Sequence, residues 1–329
     1  MHIPAIADIV AASARIRPLA IETPLFESPL LNERTGGRIL AKAEMFQRTG
    51  SFKFRGAYNR LSQVDPKEFP GGVVACSSGN HAQGIAEAAK LCGLKAVIVM
   101  PEDAPRMKIE RTKRSGAEIV FYDRVREDRD AIARDLCEKA HAVFVPPFDD
   151  PHIIAGQGTV GLEIAAQAKA IGAEIDAVLV PTSGGGLTAG VAISVTDAFP
   201  SAKIYSVEPE GFDDYRRSLA AGMRLKNERA SGSICDSLLM TEPGELTFEV
   251  NRRKLAGGLA VSDAVVRDAI AFAYRELKLV VEPGGAAALA AVLSGEFDAK
   301  DKTVAIVLSG GNIDPVLFSE IITNAAPLT

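Results

Sequence analysis

Short apolar runs alternate with amphipathic segments along most of the chain. An apolar run bounded by glycine, proline or polar residues predicts a buried strand, and apolar residues at helical spacing predict a helix. The predicted strands are residues 39–44, 71–76, 96–100, 119–122, 177–180, 204–207 and 303–308. The predicted helices are residues 6–19, 52–64, 81–92, 105–115, 127–140, 153–171 and 263–277.

This alternation is typical of an α/β fold with parallel sheets and right-handed crossovers. A chain of 329 residues is long for a single core. We therefore expect two open, twisted parallel-sheet domains with helices on both faces, and a boundary near residues 146–148. Because ligands bind open α/β sheets beyond the carboxyl ends of the strands, chemistry is expected in the loops that follow them.

Composition and charge narrow the range of partners. The chain is 47% hydrophobic and 24% charged, with a net charge of -5 and a pI of about 5.6. This charge predicts no nucleic-acid partner and no binding to an anionic membrane. No apolar run reaches the roughly 18 residues of a membrane span, and the N-terminal segment lacks the basic region of a signal peptide.

The cysteines and histidines argue against two further classes of site. The four cysteines form no C-x-x-C pair, and the four histidines form no H-x-x-x-H pair. This spacing predicts neither a zinc site nor a disulfide framework. It suits the reducing cytoplasm, where we expect the protein to act.

One lysine has neighbours that favour a neutral amine. Lys53 stands between Phe52 and Phe54, just after Ser51, the predicted N-cap of a helix. The helix dipole, partial burial between the two rings and the neighbouring Arg55 all disfavour an ammonium ion there. A neutral lysine amine is a nucleophile that forms Schiff bases. The alternative is a solvated lysine whose stem covers apolar side chains.

A glycine-rich loop, residues 183–190, follows the predicted strand 177–180. Consecutive glycines allow close approach of an anion, and the next helix offers free N–H groups, so the loop predicts a phosphate site. Gly184, Gly186 and Ala189 also fit the looser dinucleotide fingerprint, with Glu208 as a ribose ligand, so a nicotinamide enzyme stays an alternative. A plain strand–helix turn is the third interpretation.

Two more polar loops follow predicted strands. Residues 77–81, Ser-Ser-Gly-Asn-His, offer a second helix N-terminus lined with hydroxyls and an amide, which suits a carboxylate. Residues 309–312, Ser-Gly-Gly-Asn, follow the last predicted strand. Each loop alone is equally well interpreted as a capping or glycine turn.

Taken in order, these motifs resemble one family. The chain resembles the pyridoxal-phosphate (PLP) enzymes with the tryptophan-synthase β-subunit fold. The resemblance is carried by the Ser-Phe-Lys-Phe-Arg-Gly segment, the two polar loops, the glycine-rich loop, residues 155–159 and residues 282–286. Within this family the chain resembles the threonine/serine dehydratase and serine racemase branch. The resemblance covers residues 16–314. It implies a large PLP-binding domain, residues 1–47 and 149–329, and a small domain, residues 48–148, that carries the lysine.

The resemblance also implies roles for individual residues. Lys53 would bind PLP as a Schiff base and then act as the base at the substrate Cα, with Ser78 as the second catalytic residue. The implied cofactor-binding residues are Phe52, Lys53, Asn80, Ser183, Gly184, Gly185, Gly186, Leu187, Glu282 and Ser309. The implied substrate-binding residues are Ser77, Ser78, Gly79, Asn80, His81 and Arg129. A charged helix face is the simpler interpretation of Arg129.

A cation site is implied as well. Glu208, the carbonyl of Phe212 and Asp214 resemble the divalent-cation site of the racemase branch, and such oxygen ligands suit Mg²⁺ or Ca²⁺. The alternative is an acidic loop without a ligand. Homodimerisation is expected from the family. Because the sequence runs for 17 residues after Asn312, we expect no appended regulatory domain.

The predicted activity is PLP-dependent α,β-elimination that converts L-threonine or L-serine to a 2-oxo acid and ammonia. Ser78 keeps racemisation of serine or aspartate open, because the racemase branch has a serine there, and dehydration of 3-hydroxyaspartate is a further alternative. Residues 234–240 are apolar where racemases have a lysine and a serine. Outside the family, a nicotinamide oxidoreductase and a non-catalytic small-molecule binding module remain as alternatives.

Overall fold

The computed structural model describes residues 2–104, 106–123 and 125–325, which form two parallel-sheet domains with helices. The strands are β1 (Leu25–Glu27), β2 (Arg38–Ala43), β3 (Val73–Cys76), β4 (Ala96–Pro101), β5 (Glu118–Tyr122), β6 (Val143–Phe144), β7 (Ala177–Pro181), β8 (Lys203–Pro209), β9 (Leu255–Val261) and β10 (Thr303–Leu308).

The helices surround these strands. They are α1 (Ile6–Ile16), α2 (Pro29–Thr35), α3 (Lys53–Leu61), α4 (Asn80–Cys92), α5 (Arg106–Arg114), α6 (Arg129–Ala140), α7 (Pro151–Ala170), α8 (Gly186–Ala198), α9 (Asp214–Ala221), α10 (Glu245–Lys254), α11 (Asp263–Arg275), α12 (Pro283–Leu293) and α13 (Pro315–Asn324). Within the described residues, no helix is both long and apolar enough to cross a membrane.

Two sheets organise the molecule. The larger sheet has the strand order β1-β2-β10-β7-β8-β9, and the smaller has the order β5-β4-β3-β6. Neighbouring strands pair in parallel except at the edge strand β1, which is antiparallel to β2. The predicted α/β class is therefore confirmed. The polar loops of the sequence leave the carboxyl ends of β3, β7 and β10.

Close helix packing positions α3. A Cβ atom at Gly156 on α7 would lie 2.6 Å from the Cα atom of Gly56 on α3. A Cβ atom on Gly190 of α8 would lie 2.5 Å from the backbone nitrogen of Gly158 on α7. Because real Cβ atoms do not come that close, glycine is required where these helices touch. Packing between helices thus explains the glycines of residues 155–159, Ala-Gly-Gln-Gly-Thr. Gln157 Oε1 also accepts a hydrogen bond from the Gly56 amide at 3.2 Å.

Most element boundaries lie close to the predictions, with several corrections. The predicted strand 39–44 ends at Ala43, since Glu44 begins a 3₁₀ turn. The first helix ends at Ile16 and the lysine helix at Leu61, earlier than predicted. Helix α5 begins at Arg106, and Pro105, where the predicted helix begins, lies outside the described residues.

Strand β9 was not predicted. Its sequence, Leu-Ala-Gly-Gly-Leu-Ala-Val, contains two consecutive glycines, which are depleted in strands. A Cβ atom at Gly258 would lie 2.7 Å from Ser206 Oγ and 2.8 Å from the Cα atom of Arg216. The glycine is therefore needed for close packing of β9 against β8 and α9, a contact that the local sequence does not reveal.

Candidate active site

Lys53 is the first residue of α3 and lies between polar backbone and an aromatic ring. Its Nζ donates a hydrogen bond to the Pro147 carbonyl at 2.9 Å and lies 5.2 Å from the centroid of the Phe52 ring. Burial lowers the pKa of Lys53 to about 8, although the Glu282 carboxylate acts in the opposite direction. The side chain thus has a larger neutral fraction near neutral pH than an exposed lysine.

The segment before Lys53 is joined to the end of β10. Ser51 is extended and forms an antiparallel bridge with Gly310, while the Phe52 amide donates to the Ser309 carbonyl at 3.1 Å. The predicted N-cap was therefore wrong: Phe52 occupies that position without a side-chain cap. Ser51 is used for a main-chain contact with β10 instead, so Lys53 begins its helix directly beside the Ser-Gly-Gly-Asn loop.

Arg55 anchors α3 but does not lower the pKa of the lysine as predicted. Its guanidinium is fully buried, with 2.8 Å to Glu44 Oε1 and 2.5 Å to Glu163 Oε1. Although burial lowers the pKa of Arg55, the two carboxylates outweigh it and raise that pKa above its ordinary value. Because the Arg55 charge is paired, burial of the amine is the main cause of the low Lys53 pKa.

The Ser-Ser-Gly-Asn loop joins β3 to the N-terminus of α4. The Gly79 amide donates to Ser77 Oγ at 3.1 Å, and Gly79 occupies the N-cap position without a side-chain cap. The first N–H groups of α4 therefore lack helical partners and face the loop that contains Ser78. This arrangement supplies an anion-binding helix terminus with two hydroxyls beside it.

Asn80 links this loop to the other polar segments. Its Nδ2 donates to Glu282 Oε1 at 2.6 Å, and its Oδ1 accepts a hydrogen bond from Asn312 Nδ2 at 2.8 Å. The Glu282 amide donates to the Gly310 carbonyl at 3.0 Å, and Ser309 is 5% exposed beside it. Asn80, Glu282 and Ser309 are thus brought together next to Phe52 and Lys53.

His81 lies beneath the loop and is 3% exposed. Its Nε2 lies 3.1 Å from the Val145 carbonyl. Burial and the nearby Lys53 charge lower the pKa of His81 to about 3, although the Val145 carbonyl acts in the opposite direction. The ring is therefore neutral and directed at backbone.

Residues 183–187 of the glycine-rich loop lead from β7 into α8, and two aromatic rings pack against them. A Cβ atom at Gly184 would lie 2.3 Å from the Phe148 ring, and one at Gly185 would lie 2.0 Å from the Tyr215 hydroxyl. Gly185 also has φ of +91°, which glycine adopts without strain. The loop therefore requires glycine, and the first amide groups of α8 remain available to an anion.

These residues fit the cofactor that the resemblance implies. Lys53 supplies an amine of lowered pKa, Asn80 and Ser309 supply neutral polar groups, and the cradle at Gly185 supplies helix N–H groups for a phosphate. Pro147 and Phe148 join the two parts, since Pro147 accepts from Lys53 and Phe148 contacts Gly184. The lysine and the phosphate cradle are therefore neighbours.

The predicted cation ligands lie at the N-terminus of α9. Glu208 is fully buried and its carboxylate accepts hydrogen bonds from the Tyr215 and Arg216 amides, both at 2.8 Å. Burial and the Asp214 carboxylate raise the pKa of Glu208 well above its ordinary value, and burial raises the pKa of Asp214 to about 7. Phe212 is 2% exposed in the turn between them.

Two findings qualify these ligands. The Glu208 carboxylate is directed at α9, so it is not presented to a ribose as the dinucleotide alternative required. Among the described residues, no group of three or more His, Cys, Asp and Glu side chains is arranged to hold a metal ion. One buried oxygen, Asp214 Oδ2, has no hydrogen-bond partner.

Arg129 begins α6, and its main chain contacts the end of β3. Its carbonyl accepts a hydrogen bond from Cys76 Sγ at 3.5 Å. The guanidinium lies 3.6 Å from Asp130, and the side chain is 46% exposed. The structure pairs Arg129 with a surface carboxylate, as the charged-face alternative expected.

Several site residues were missed at the level of sequence. Pro147 and Phe148 had been noted only as a domain boundary, and Tyr215 had no assigned role. The only sequence signal for them is the run of glycines, which indicates that other residues pack closely against this loop. It does not indicate which residues these are. Asn312 was part of a predicted polar loop, but its hydrogen bonds to Thr49 O at 2.7 Å and to Asn80 were not foreseeable.

Comparison with known proteins agrees with this geometry. The family described as pyridoxal-phosphate dependent enzyme matches residues 16–310. L-threonine ammonia-lyase of Thermotoga maritima is 41% identical, covering 96% of this chain and 77% of the relative. L-threo-3-hydroxyaspartate ammonia-lyase of a Pseudomonas species is 39% identical over 96% of this chain and 97% of the relative. The structure of maize serine racemase, 38% identical, superposes with a TM-score of 0.91 over 98% of each chain.

Proposed function

The chain belongs to the family of pyridoxal-phosphate dependent enzymes, and on that premise we propose that it is an ammonia-lyase acting on L-threonine or L-serine. The observation that carries the proposal is the Lys53 amine, whose pKa is lowered to about 8 where three polar loops meet. A lysine in such a setting attacks a carbonyl carbon more readily than an exposed lysine, because a larger fraction of its amine is neutral near neutral pH.

Lys53 and the residues around it have different roles in the proposed reaction. Bound PLP supplies the electron sink that stabilises a carbanion at the substrate Cα. Lys53 removes the Cα proton and holds it, since a pKa of about 8 suits proton transfer near neutral pH. Ser77, Ser78 and the N-terminus of α4 bind and orient the substrate carboxylate.

The remaining residues hold the cofactor. Residues 183–187 bind its phosphate through the N-terminus of α8, with Ser183, Gly186 and Leu187 beside the two central glycines. Phe52 would pack against the ring of the cofactor, and Asn80 and Glu282 would bind its polar edge. Ser309 would donate to the pyridine nitrogen, and a neutral hydroxyl there would leave the nitrogen largely unprotonated, which favours elimination over transamination.

A direct assay tests the proposal. Purified protein with PLP is expected to release ammonia and a 2-oxo acid from L-threonine or L-serine, and Lys53→Ala is expected to abolish both the release and the visible Schiff-base band. A protein that binds PLP but converts no hydroxy amino acid would overturn the lyase and favour a binding module. NAD(H) binding that survives in Lys53→Ala, with no PLP band, would favour the oxidoreductase.

Racemisation is a second candidate because Ser78 lies in the loop at the α4 N-terminus, next to Ser77 and Asn80. A hydroxyl there would deliver a proton to the substrate face opposite Lys53. The 38% identity to maize serine racemase supports this candidate, and the 39% identity to the Pseudomonas enzyme supports L-threo-3-hydroxyaspartate as a third substrate. The same assay, extended to D-serine formation and to 3-hydroxyaspartate, separates the three.

We also propose a divalent cation, Mg²⁺ or Ca²⁺, at Glu208, the Phe212 carbonyl and Asp214. The support is the buried Asp214 Oδ2, which has no hydrogen-bond partner, and the raised pKa of Glu208, which burial and then the nearby Asp214 carboxylate cause; a bound cation would pair with both carboxylates. Calorimetric titration of chelator-treated protein with each cation tests the site. The absence of binding heat with both cations would overturn it.

The assembly and organisation of the chain are proposals too. The smaller sheet lies within residues 73–144, which supports a small domain of residues 48–148 and a large domain of residues 1–47 and 149–329. We propose a homodimer that acts in the cytoplasm on a small amino acid, without nucleic acid or a membrane as partner. The free thiols of the four cysteines support a reducing compartment. Light scattering measures the mass of the assembly in solution, and the mass of a single chain would overturn the homodimer.

A further inference from the structure

Three side chains contact the back of the glycine-rich loop. Tyr215, fully buried on α9, places its hydroxyl 2.8 Å from Thr247 Oγ1 and 3.3 Å from the Gly184 carbonyl. Thr247, fully buried on α10, donates its own hydroxyl to that carbonyl at 2.6 Å. Asn251, one turn later on α10, donates from Nδ2 to the Gly185 carbonyl at 3.1 Å.

These contacts fix the direction of the loop's amide groups. In a planar trans peptide, the N–H of one residue points away from the carbonyl of the residue before it. Holding the Gly184 carbonyl from behind therefore orients the Gly185 N–H toward the opposite side of the loop. In the same way, the Asn251 contact orients the Gly186 N–H. Both amides belong to the N-terminus of α8.

The support is steric as well as polar. A Cβ atom at Gly185 would meet the Tyr215 hydroxyl oxygen at 2.0 Å, so the phenol is in tight contact with this residue. Because glycine has the largest conformational freedom, a loop of three glycines needs outside contacts to hold one conformation.

We propose that Tyr215, Thr247 and Asn251 are positioning residues that orient the Gly185 and Gly186 amides toward the phosphate of the cofactor. This inference rests on the proposed function, in which residues 183–187 bind that phosphate. It assigns to α9 and α10 a role in cofactor affinity, although neither helix carries a residue predicted to touch PLP.

The test compares two aldehydes that differ only in the phosphate. Cofactor-free protein is titrated with PLP and with pyridoxal, and Schiff-base absorbance gives the dissociation constant of each. Thr247→Val removes the shorter of the two hydrogen bonds to the Gly184 carbonyl and is expected to weaken PLP binding about tenfold to a hundredfold. Tyr215→Phe, which keeps the ring, is expected to weaken PLP binding about threefold to tenfold. Pyridoxal affinity is expected to stay unchanged in both variants.

Matched controls come from the same chain. Tyr205→Phe removes a hydroxyl from β8, where the ring packs against Phe297, and Thr196→Val removes one that bonds to Ala192 on α8. Both are expected to bind PLP as the wild type does. If Thr247→Val does not fold, as judged by circular dichroism, Tyr215→Phe decides the question.

The outcomes are distinguishable. Equal weakening of PLP and pyridoxal in the variants, or no weakening of either, would overturn the positioning role and leave the proposed function intact. Failure of the wild-type protein to bind either aldehyde would overturn the proposed function itself. A loss confined to PLP supports the inference.

Discussion

At the scale of single residues, the state of Lys53 reflects two opposed influences. Burial lowers the pKa of its amine, and the Glu282 carboxylate raises it. Below pH 8 the amine is mostly protonated, so reaction of cofactor-free protein with PLP is expected to speed up as the pH rises, with a midpoint near 8. In Glu282→Gln the carboxylate charge is gone, and we expect the midpoint to move to lower pH.

The measurement is the initial rate of Schiff-base absorbance over a series of pH values. Glu296→Gln is the matched control, because Glu296 is an exposed carboxylate that follows α12 whereas Glu282 precedes it. A midpoint in Glu282→Gln that equals that of the wild type would show that Glu282 does not influence the amine.

Ser78 is the residue expected to separate two activities. Replacing Ser78 by alanine removes the hydroxyl that we propose for racemisation, so we expect L-serine to D-serine conversion to fall at least about 100-fold. Formation of 2-oxo acid is expected to fall less than about tenfold, since Lys53 acts alone at Cα in elimination. Ser77→Ala is the contrasting variant and is expected to lower both rates, because Ser77 Oγ shapes the loop by accepting the Gly79 amide. Chiral chromatography and a 2-oxo acid assay give the two rates.

Local sequence patterns indicate the candidate reactive residues of the site, but they do not indicate the residues that pack against them. Lys53 and residues 183–187 carry local signals, since a lysine at a helix start and consecutive glycines after a strand each have a direct chemical use. The roles of Phe148 and Tyr215 depend on contacts between segments far apart in the chain, and no local pattern encodes them. Ser51 illustrates the converse: the residue type favoured a cap, and a main-chain bridge to Gly310 prevailed.

At the scale of elements, α3 is held by buried charge. Arg55→Met would remove the guanidinium that pairs with the fully buried Glu44 and would leave Glu163 with Lys42 alone, so we expect the free energy of unfolding to fall by about 3–5 kcal/mol. Arg60→Met on the same helix breaks a partly exposed ion pair with Asp150 and is expected to cost at most about 1 kcal/mol. Denaturant unfolding of cofactor-free protein measures both. Equal effects would contradict the anchoring role of Arg55.

Element prediction failed at β9, where glycine is frequent, and at α12, where burial is uniform. Strand β10 was predicted to the residue, because an apolar run between polar ends has a clear period and clear limits. Helix α12 was not predicted as a helix, since its Pro-Gly-Gly-Ala-rich sequence is buried on every side and so lacks a polar face. Such a helix is defined by the sheet and helices around it.

At the scale of the whole molecule, the proposed cation site at the start of α9 would couple the stability of the protein to cation binding. In chelator, Asp214→Asn removes one of the three neighbouring buried carboxylates, Glu208, Asp213 and Asp214, and we expect the variant to unfold at a higher temperature than the wild type. With cation at about 100 times its dissociation constant, the wild type is expected to gain about 2.7 kcal/mol, and the variant much less. Glu210→Gln, an exposed change in the same turn, serves as the control. A variant that responds to cation like the wild type would exclude Asp214 as a ligand.

The bridge between the lysine segment and the loop after β10 has a consequence for synthesis. Thr49 and Asn312, joined by a hydrogen bond, are 263 residues apart in sequence. Contacts of such high sequence separation form late, because the intervening chain must first be ordered. On the ribosome, the segment that carries Lys53 emerges long before its partner, whose synthesis follows most of both sheets. A nascent chain therefore cannot form this contact beside the Lys53 segment until translation has passed residue 312.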